Sequence, residues 1–228
     1  MLDPLLCEEL AALDRADDNT ARSVDLPDNS ALANRSIVAT FVIYLRIGID
    51  HILPGGLDHI LFVIALVLTT TQLRPLAIQI TAFTLAHTVT LGLASAGVVS
   101  PSAQLVEPLI AASIAFVALE NLWASEMSRW RPFIVFGFGL LHGLGFAGFI
   151  GELGLPTDRF WSALIGFNVG VELGQLSVVV ITLIVLLGLQ RIIAQRDKRN
   201  AYRRWAVIPG SALIGITGLW WTVERLVA

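Results

Sequence analysis

Long apolar segments, separated by short polar connections, dominate the sequence after residue 35 and constrain its fold more than any other feature. Each segment approaches the roughly 20 residues that an α-helix needs to cross a bilayer. The predicted transmembrane helices cover about residues 57–73, 75–99, 105–124, 132–150, 160–189 and 205–223. The short connections predict that neighbours in sequence are antiparallel neighbours in space. We therefore expect an all-α integral membrane protein, a compact bundle of six transmembrane helices.

Composition supports a membrane protein and excludes several other classes. The chain is 55% hydrophobic and 14% charged, with a mean hydropathy of +0.74, which is outside the range of soluble domains. The net charge of -3 argues against nucleic acid as a partner. The apolar composition makes the lipid bilayer the expected partner instead. The single cysteine, Cys7, excludes an intrachain disulfide and a thiolate metal cluster. No signal-peptide pattern begins the chain, so we expect no cleavable leader.

The first 53 residues differ from the rest of the chain. Residues 1–35 hold eight acidic residues and three arginines, which predicts a largely disordered tail before a helical bundle at residues 36–228. Residues 36–53 are apolar but carry Arg46 and Asp50 on one helical face. We predict that this segment is a re-entrant or interfacial helix. The alternative is that it crosses the membrane, which would give seven spans.

Basic residues indicate the orientation of the bundle. Six of them fall within residues 191–204, so the positive-inside rule places this loop in the cytoplasm. Alternation along the chain then places both termini outside. It also places the helix break at Pro54-Gly55-Gly56 at the outer face.

Small residues recur every four positions in two of the predicted spans. They are Gly139, Gly143, Ala147 and Gly151 in one span, and Gly166, Gly170 and Gly174 in the other. Such faces let helix backbones approach closely in lipid. We interpret them as packing faces within one bundle, with a homo-oligomer as the open alternative.

Ionisable and amide side chains in or beside the spans are the candidate functional residues, because such groups are expensive inside a membrane. All four histidines of the chain are among them. The helix rise places His87 and His142 near the middle of the bilayer, at depths similar to those of Asn168 and Glu172. The predicted metal-binding set is His51, Asp58, His59, His87, His142, Asn168 and Glu172. Glu107 and Glu120 are expected to matter less.

The chemistry of this set narrows the ligand without identifying it. Imidazole and carboxylate groups are a nitrogen and oxygen ligand set suited to nickel, cobalt, zinc or copper ions. A purely structural interpretation stays open. Asp58 is also a suitable N-cap for the following helix, and Thr84, Thr88 and Thr90 surround His87 as hydrogen-bonding residues.

Four segments together resemble the HupE/UreJ family of hydrogenase and urease accessory membrane proteins. They are residues 51–62, 81–90 (TAFTLAHTVT), 142–147 (HGLGFA) and 167–175 (FNVGVELGQ). The resemblance implies a six-span, multi-pass protein of the bacterial inner membrane that takes up nickel or a similar divalent metal, with the first motif on the periplasmic side. The spacing from His51 to Asp58 is one residue longer than in the nickel-linked branch, and Phe146 replaces a second histidine. The chain therefore resembles the second, HupE/UreJ-like branch.

Three functions agree with these features. The favoured one is a divalent metal permease or metal-binding protein without enzymatic activity. The second is an intramembrane metalloenzyme that keeps an open metal position for water or substrate. The third is an accessory membrane subunit whose polar groups only hold helices together.

Overall fold

The computed structural model describes residues 36–123, 128–146, 157–193 and 202–227, which are helical and contain no β-strand. The helices are α1 (Ile37–Ile52), α2 (Leu57–Thr69), α3 (Leu73–Ser95), α4 (Ala103–Trp123), α5 (Arg131–Gly145), α6 (Phe160–Ile193) and α7 (Ile208–Val227). A 3-10 turn at Thr157–Arg159 precedes α6, and a π-helical turn at Arg203–Val207 leads into α7. The predicted tail at residues 1–35, together with Ala147 and Gly151, lies outside the described residues.

Several of these helices can cross a membrane, and the protein is a multi-pass membrane protein. Four segments of the described chain are long and apolar enough, namely Leu73–Ser95, Ala103–Trp123, Phe160–Arg191 and Arg203–Val227. A fifth crossing exists if α1 and α2, bent by 71° at the break between them, count as one span. The helix within the span predicted at residues 57–73 is shorter than expected. Helix α2 has 13 residues, and the backbone of Thr70 after it is extended.

Helices α1 and α2 run in the same general direction. The Ser162 hydroxyl donates to the Ile37 carbonyl, and Ile52 lies beside Gly174, so α1 is parallel to α6. Helix α6 is antiparallel to α3, because its Asn168 contacts His87 and its Glu172 contacts Thr81. Three residues connect α2 to α3, and α3 runs antiparallel to α2. The two helices α1 and α2 therefore form a bent pair, which is either one broken span or a re-entrant segment.

The break at Pro54-Gly55-Gly56 follows a long contact between α1 and α6. Ile52 contacts Gly174, which is 14 residues into α6 and hence about 21 Å from its start. Helix α1 therefore lies alongside the first half of α6 before the chain bends, and the location of the break at the outer face stays a prediction. A side chain at Gly56 would meet the His51 carbonyl, so only glycine fits this bend.

Glycines allow α1 and α6 to pack backbone against backbone. A Cβ atom at Gly48 would collide with the Phe167 carbonyl, and one at Gly170 with the Leu45 carbonyl. Gly139 and Gly143 of α5 lie in the same way against α3. The prediction that small residues pack helices within one bundle is confirmed for these described glycines.

Four helix ends meet at what we call the basic end, where α2 and α4 finish and α5 and α7 begin. Arg131, only 1% exposed, donates to Thr69 Oγ1 at 2.8 Å and to Asn121 Oδ1 at 2.9 Å. Its Nε lies 3.7 Å from the Glu120 carboxylate. Arg203 donates to the main-chain carbonyls of Asn121 and Leu122. We call Thr69, Glu120, Asn121, Arg131 and Arg203 the arginine cluster.

Replacing Gly170 with alanine tests the α1–α6 contact. We expect Gly170→Ala to lower the free energy of unfolding by about 1–3 kcal/mol, since overpacking forces the two backbones apart. The matched control is Gly188→Ala in the same helix, where a Cβ atom would meet nothing within 4 Å. That control should be neutral or stabilising by up to about 1 kcal/mol, because alanine favours helix. Melting in detergent measures both, and equal melting temperatures would contradict the close contact.

Candidate metal centre

Three histidines from three helices converge inside the bundle. His51 lies at the end of α1, His59 is the third residue of α2, and His87 lies on α3. The bend between α1 and α2 turns the first two toward each other, with ring centroids 4.8 Å apart. One nitrogen from each of the three rings lies within 4.8 Å of the other two.

This spacing is close to that of a metal site. Metal–nitrogen bonds of about 2.0–2.1 Å place opposite ligands roughly 4.2 Å apart and tetrahedral ligands somewhat closer. The three nitrogens are candidate ligands of one metal ion, each pair being at most about 1 Å or slightly more beyond ligating distance.

Hydrogen bonds to His59 and His87 leave their second nitrogens for a ligand. His59 Nδ1 is 3.1 Å from the Asp58 carboxylate, which can only accept, so Nδ1 carries the proton. His87 Nδ1 is 3.0 Å from Asn168 Oδ1, while the Asn168 amide NH2 group donates to the Leu164 carbonyl. Both rings then present the lone pair of Nε2, an orientation that carboxylate and carbonyl partners commonly impose on metal-binding histidines.

The fourth histidine, His142 of α5, borders the three. Its ring centroid is 4.8 Å from that of His59. Ser113 donates its hydroxyl proton to the Ile110 carbonyl at 2.7 Å, so its oxygen accepts from His142 Nε2 at 3.0 Å. His142 Nδ1 therefore carries the lone pair, and the ring is oriented by α4.

Four ring nitrogens are buried without a hydrogen-bond partner, one from each histidine. They are His51 Nε2, His59 Nε2, His87 Nε2 and His142 Nδ1. Buried polar atoms are nearly always partnered, because an unmade hydrogen bond costs about 1–3 kcal/mol. A cluster of unpartnered imidazole nitrogens is the pattern that a bound cation or water would satisfy.

A cavity of about 290 Å³ connects His51, His59 and His142 with the end of the bundle opposite the arginine cluster. Its walls are His51, Asp58, His59, Glu107, Ile110, His142, Gly145, Phe146 and Arg225. Two carboxylates and one guanidinium line it, which favours entry of a cation over an anion. We call this side the cavity end.

The structure brings the predicted site residues around the helix break together with the predicted residues of the later helices. Glu172 is the exception. His51, Asp58 and His59, expected at the outer face above the others, lie at the level of His87 and His142. Asn168 belongs to the site through His87. Glu172 does not line the cavity: it accepts a hydrogen bond from Thr81 at 2.7 Å. Its place in the metal-binding set stays a prediction, since one helical turn separates it from Asn168 and directs it to a different part of α3.

Sequence reasoning did not assign five of the nine wall residues to the site, among them Glu107, Phe146 and Arg225, nor the supporting residue Ser113. Glu107 was expected to matter less, yet its position at the start of α4 places it in the cavity. Arg225 donates to the Glu107 main-chain carbonyl and holds α7 at the cavity mouth. Phe146 packs on His51, with ring centroids 3.9 Å apart. Ser113, which orients His142, is an ordinary small polar residue in the sequence and carried no signal.

Fold and site together define a multi-pass helical membrane protein with a buried imidazole cluster open toward one end. The family described as HupE / UreJ protein matches residues 28–225, and the chain belongs to this family. The match covers the described helices except the last two residues of α7, and it confirms the resemblance drawn from the four segments. No curated protein and no solved structure matches the chain.

Removing a histidine or its supporting partner tests the site. We expect His59→Ala and His87→Ala each to abolish high-affinity binding of nickel or zinc, because two remaining nitrogens hold an ion poorly. Asp58→Asn should weaken binding by about 10–100-fold, since it disturbs the orientation of His59. Isothermal titration of purified, tag-free protein measures the affinities.

The discriminating control for this test is Glu172→Gln, which alters a carboxylate outside the cavity. It should leave the affinity unchanged. An equal loss of binding in Glu172→Gln and His59→Ala would contradict the assignment of the site to the histidine cluster.

Proposed function

We propose that the protein is a divalent transition-metal permease of the bacterial inner membrane. The observation that carries this proposal is the convergence of one nitrogen each from His51, His59 and His87 within 4.8 Å, inside a membrane-spanning bundle. Nitrogen-rich sites of this kind suit nickel, cobalt, zinc and copper, and membership of the HupE/UreJ family supports a nickel-like cargo. The metal is cargo, so the site should bind it reversibly.

The two ends of the bundle support directional passage. At the cavity end, Asp58 and Glu107 attract a cation toward the histidines. At the basic end, the arginine cluster joins α2, α4, α5 and α7 by charged and neutral hydrogen bonds. A cation leaving toward that end meets positive charge and packed side chains. Release therefore requires that the contacts around Arg131 rearrange.

The proposed topology has six crossings, with α1 and α2 forming a single broken one. The others are α3, α4, α5, α6 and α7, and both termini lie outside. The basic end faces the cytoplasm, since Arg74, Arg129 and Arg131 lie there with Arg203 and Arg204. The cavity end then faces the periplasm, from which the metal is taken up.

Metal flux into proteoliposomes tests the proposed activity. We expect the unmodified protein to transport radioactive nickel or zinc and His59→Ala and His142→Ala to lose uptake at matched protein content, because each removes a buried ligand. Gly188→Ala, which touches nothing nearby, is the matched control and should transport normally. Melting temperatures on the same samples separate loss of transport from loss of folding. Full uptake by both histidine variants would overturn the permease proposal.

A metalloenzyme is the second candidate, favoured by the space in front of the histidines. Three protein nitrogens with an adjacent cavity match catalytic zinc sites, which keep one position open for water. Stable retention of about one metal per chain without flux would support this candidate. Rapid exchange of the metal with measurable flux would support the permease.

Terminal reporters test the topology. Fusions after residue 228 and within residues 1–30 should both report a periplasmic location, because α1 and α2 together make one crossing. A cytoplasmic amino terminus with a periplasmic carboxyl terminus would mean that α1 and α2 cross separately. Fusions at residue 128 supply the cytoplasmic control.

A further inference from the structure

A second cavity, separate from the histidines, lies at the basic end between α3 and α5. Its volume is about 280 Å³, and its walls are Arg74, Pro75, Ile78, Ser128, Arg129 and Pro132. The metal centre shares none of these residues. Any ligand of this cavity is therefore bound by residues other than those of the metal centre.

Charge at this cavity is unbalanced. Arg74 and Arg129 come from different segments, one in the first turn of α3 and the other just before α5. Both are exposed, and within the described parts of the chain neither guanidinium has a carboxylate at ion-pair distance. Two unpaired guanidinium groups beside one cavity favour an anion.

The remaining wall of the cavity is apolar and continues onto the membrane-facing surface. Ile78 is 49% exposed, and the neighbouring Phe133 is 70% exposed. Trp130 lies next to Arg129 and is also exposed, as expected for an aromatic residue at the membrane–water interface. The ligand therefore has a charged part and an apolar part.

The amino-terminal ends of α3 and α5 add to the positive potential at the second cavity. Helices α3 and α5 are parallel, because Gly139 lies against Phe83 and Gly143 against His87. Their amino-terminal ends, which carry partial positive charge, thus flank the same cavity. Neither end receives a hydrogen bond from the side chain of its N-cap residue.

We propose that this cavity binds an anionic phospholipid of the leaflet at the basic end. Arg74 and Arg129 contact the headgroup phosphate, while Ile78 and Pro132 contact the glycerol region and the first acyl carbons. Basic pockets between transmembrane helices at the cytoplasmic surface recognise lipid headgroups in this way. The site is independent of the metal centre and stands whether or not the protein transports metal.

Lipid competition on the full-length protein in detergent tests the proposal. The probes are phosphatidylglycerol and phosphatidylcholine with identical acyl chains, and native mass spectrometry measures the bound fraction of each. We expect phosphatidylglycerol to be preferred. Arg74→Gln and Arg129→Gln should each lower this preference about five-fold, and the double variant about thirty-fold, from the attraction that each surface arginine contributes.

Two sets of variants control for charge and for folding. Arg204→Gln removes an exposed arginine at the same end of the bundle but outside the cavity, so the preference should be kept. The double variant Arg74→Lys with Arg129→Lys keeps the charge and should keep most of the preference for phosphatidylglycerol. It serves as the test of the charge if the double glutamine variant folds poorly.

Three outcomes would overturn the proposal. The first is an unchanged lipid preference in the folded double glutamine variant. The second is a loss of preference in Arg204→Gln equal to that in the cavity variants. The third is displacement of phosphatidylglycerol by millimolar inorganic phosphate, which would show a site for a free anion rather than for a lipid.

Discussion

Inside a bilayer a polar atom without a partner is costly, and this constraint organises the structure. Each of the four histidines satisfies at most one ring nitrogen with a protein partner, and the other nitrogen is buried and unpartnered. Asp58, Asn168 and Ser113 also decide which nitrogen carries the proton in three of the rings. The protein thereby presents lone pairs toward one another, an arrangement that water or a cation stabilises and that an apolar core would not retain.

The bend between α1 and α2 makes this convergence possible. A straight helix would place residues eight apart, such as His51 and His59, about two turns and roughly 12 Å from each other along its axis. The bend instead turns the end of one helix toward the start of the next, so both rings face α3. Glycines at 48 and 170 let α1 lie directly on α6, which brings His51 within ring contact of Phe167. Backbone packing and site geometry therefore depend on the same small residues.

The two ends of the bundle use charge differently. At the cavity end, carboxylates line an opening that leads to the imidazoles. At the basic end, Arg131 is buried and its hydrogen bonds join several helix ends, an arrangement that costs about 3–5 kcal/mol to break by removing one partner. Arg74 and Arg129 stay exposed beside an apolar wall at that end. Carboxylates thus mark one end of the bundle, while a buried arginine that joins helix ends and two exposed arginines mark the other.

Apolar segment length and composition were sufficient to predict a multi-pass helical membrane protein, and the four short segments were sufficient for its family. The glycine faces also predicted close helix packing, because a four-residue repeat keeps one side of a helix small. The histidines were recognisable as candidates, since ionisable groups in apolar spans are rare. Tertiary structure alone decided where the 53–56 break lies along α6 and which residues line the cavity. Helix rise converts sequence distance into depth only for a straight helix with a known starting point, and α1 bends into α2 partway through the bundle. Sequence periodicity likewise does not predict which neighbouring helix a helix face contacts. Glu107 and Arg225 line the cavity, while Glu172, on a predicted polar face, contacts Thr81 instead.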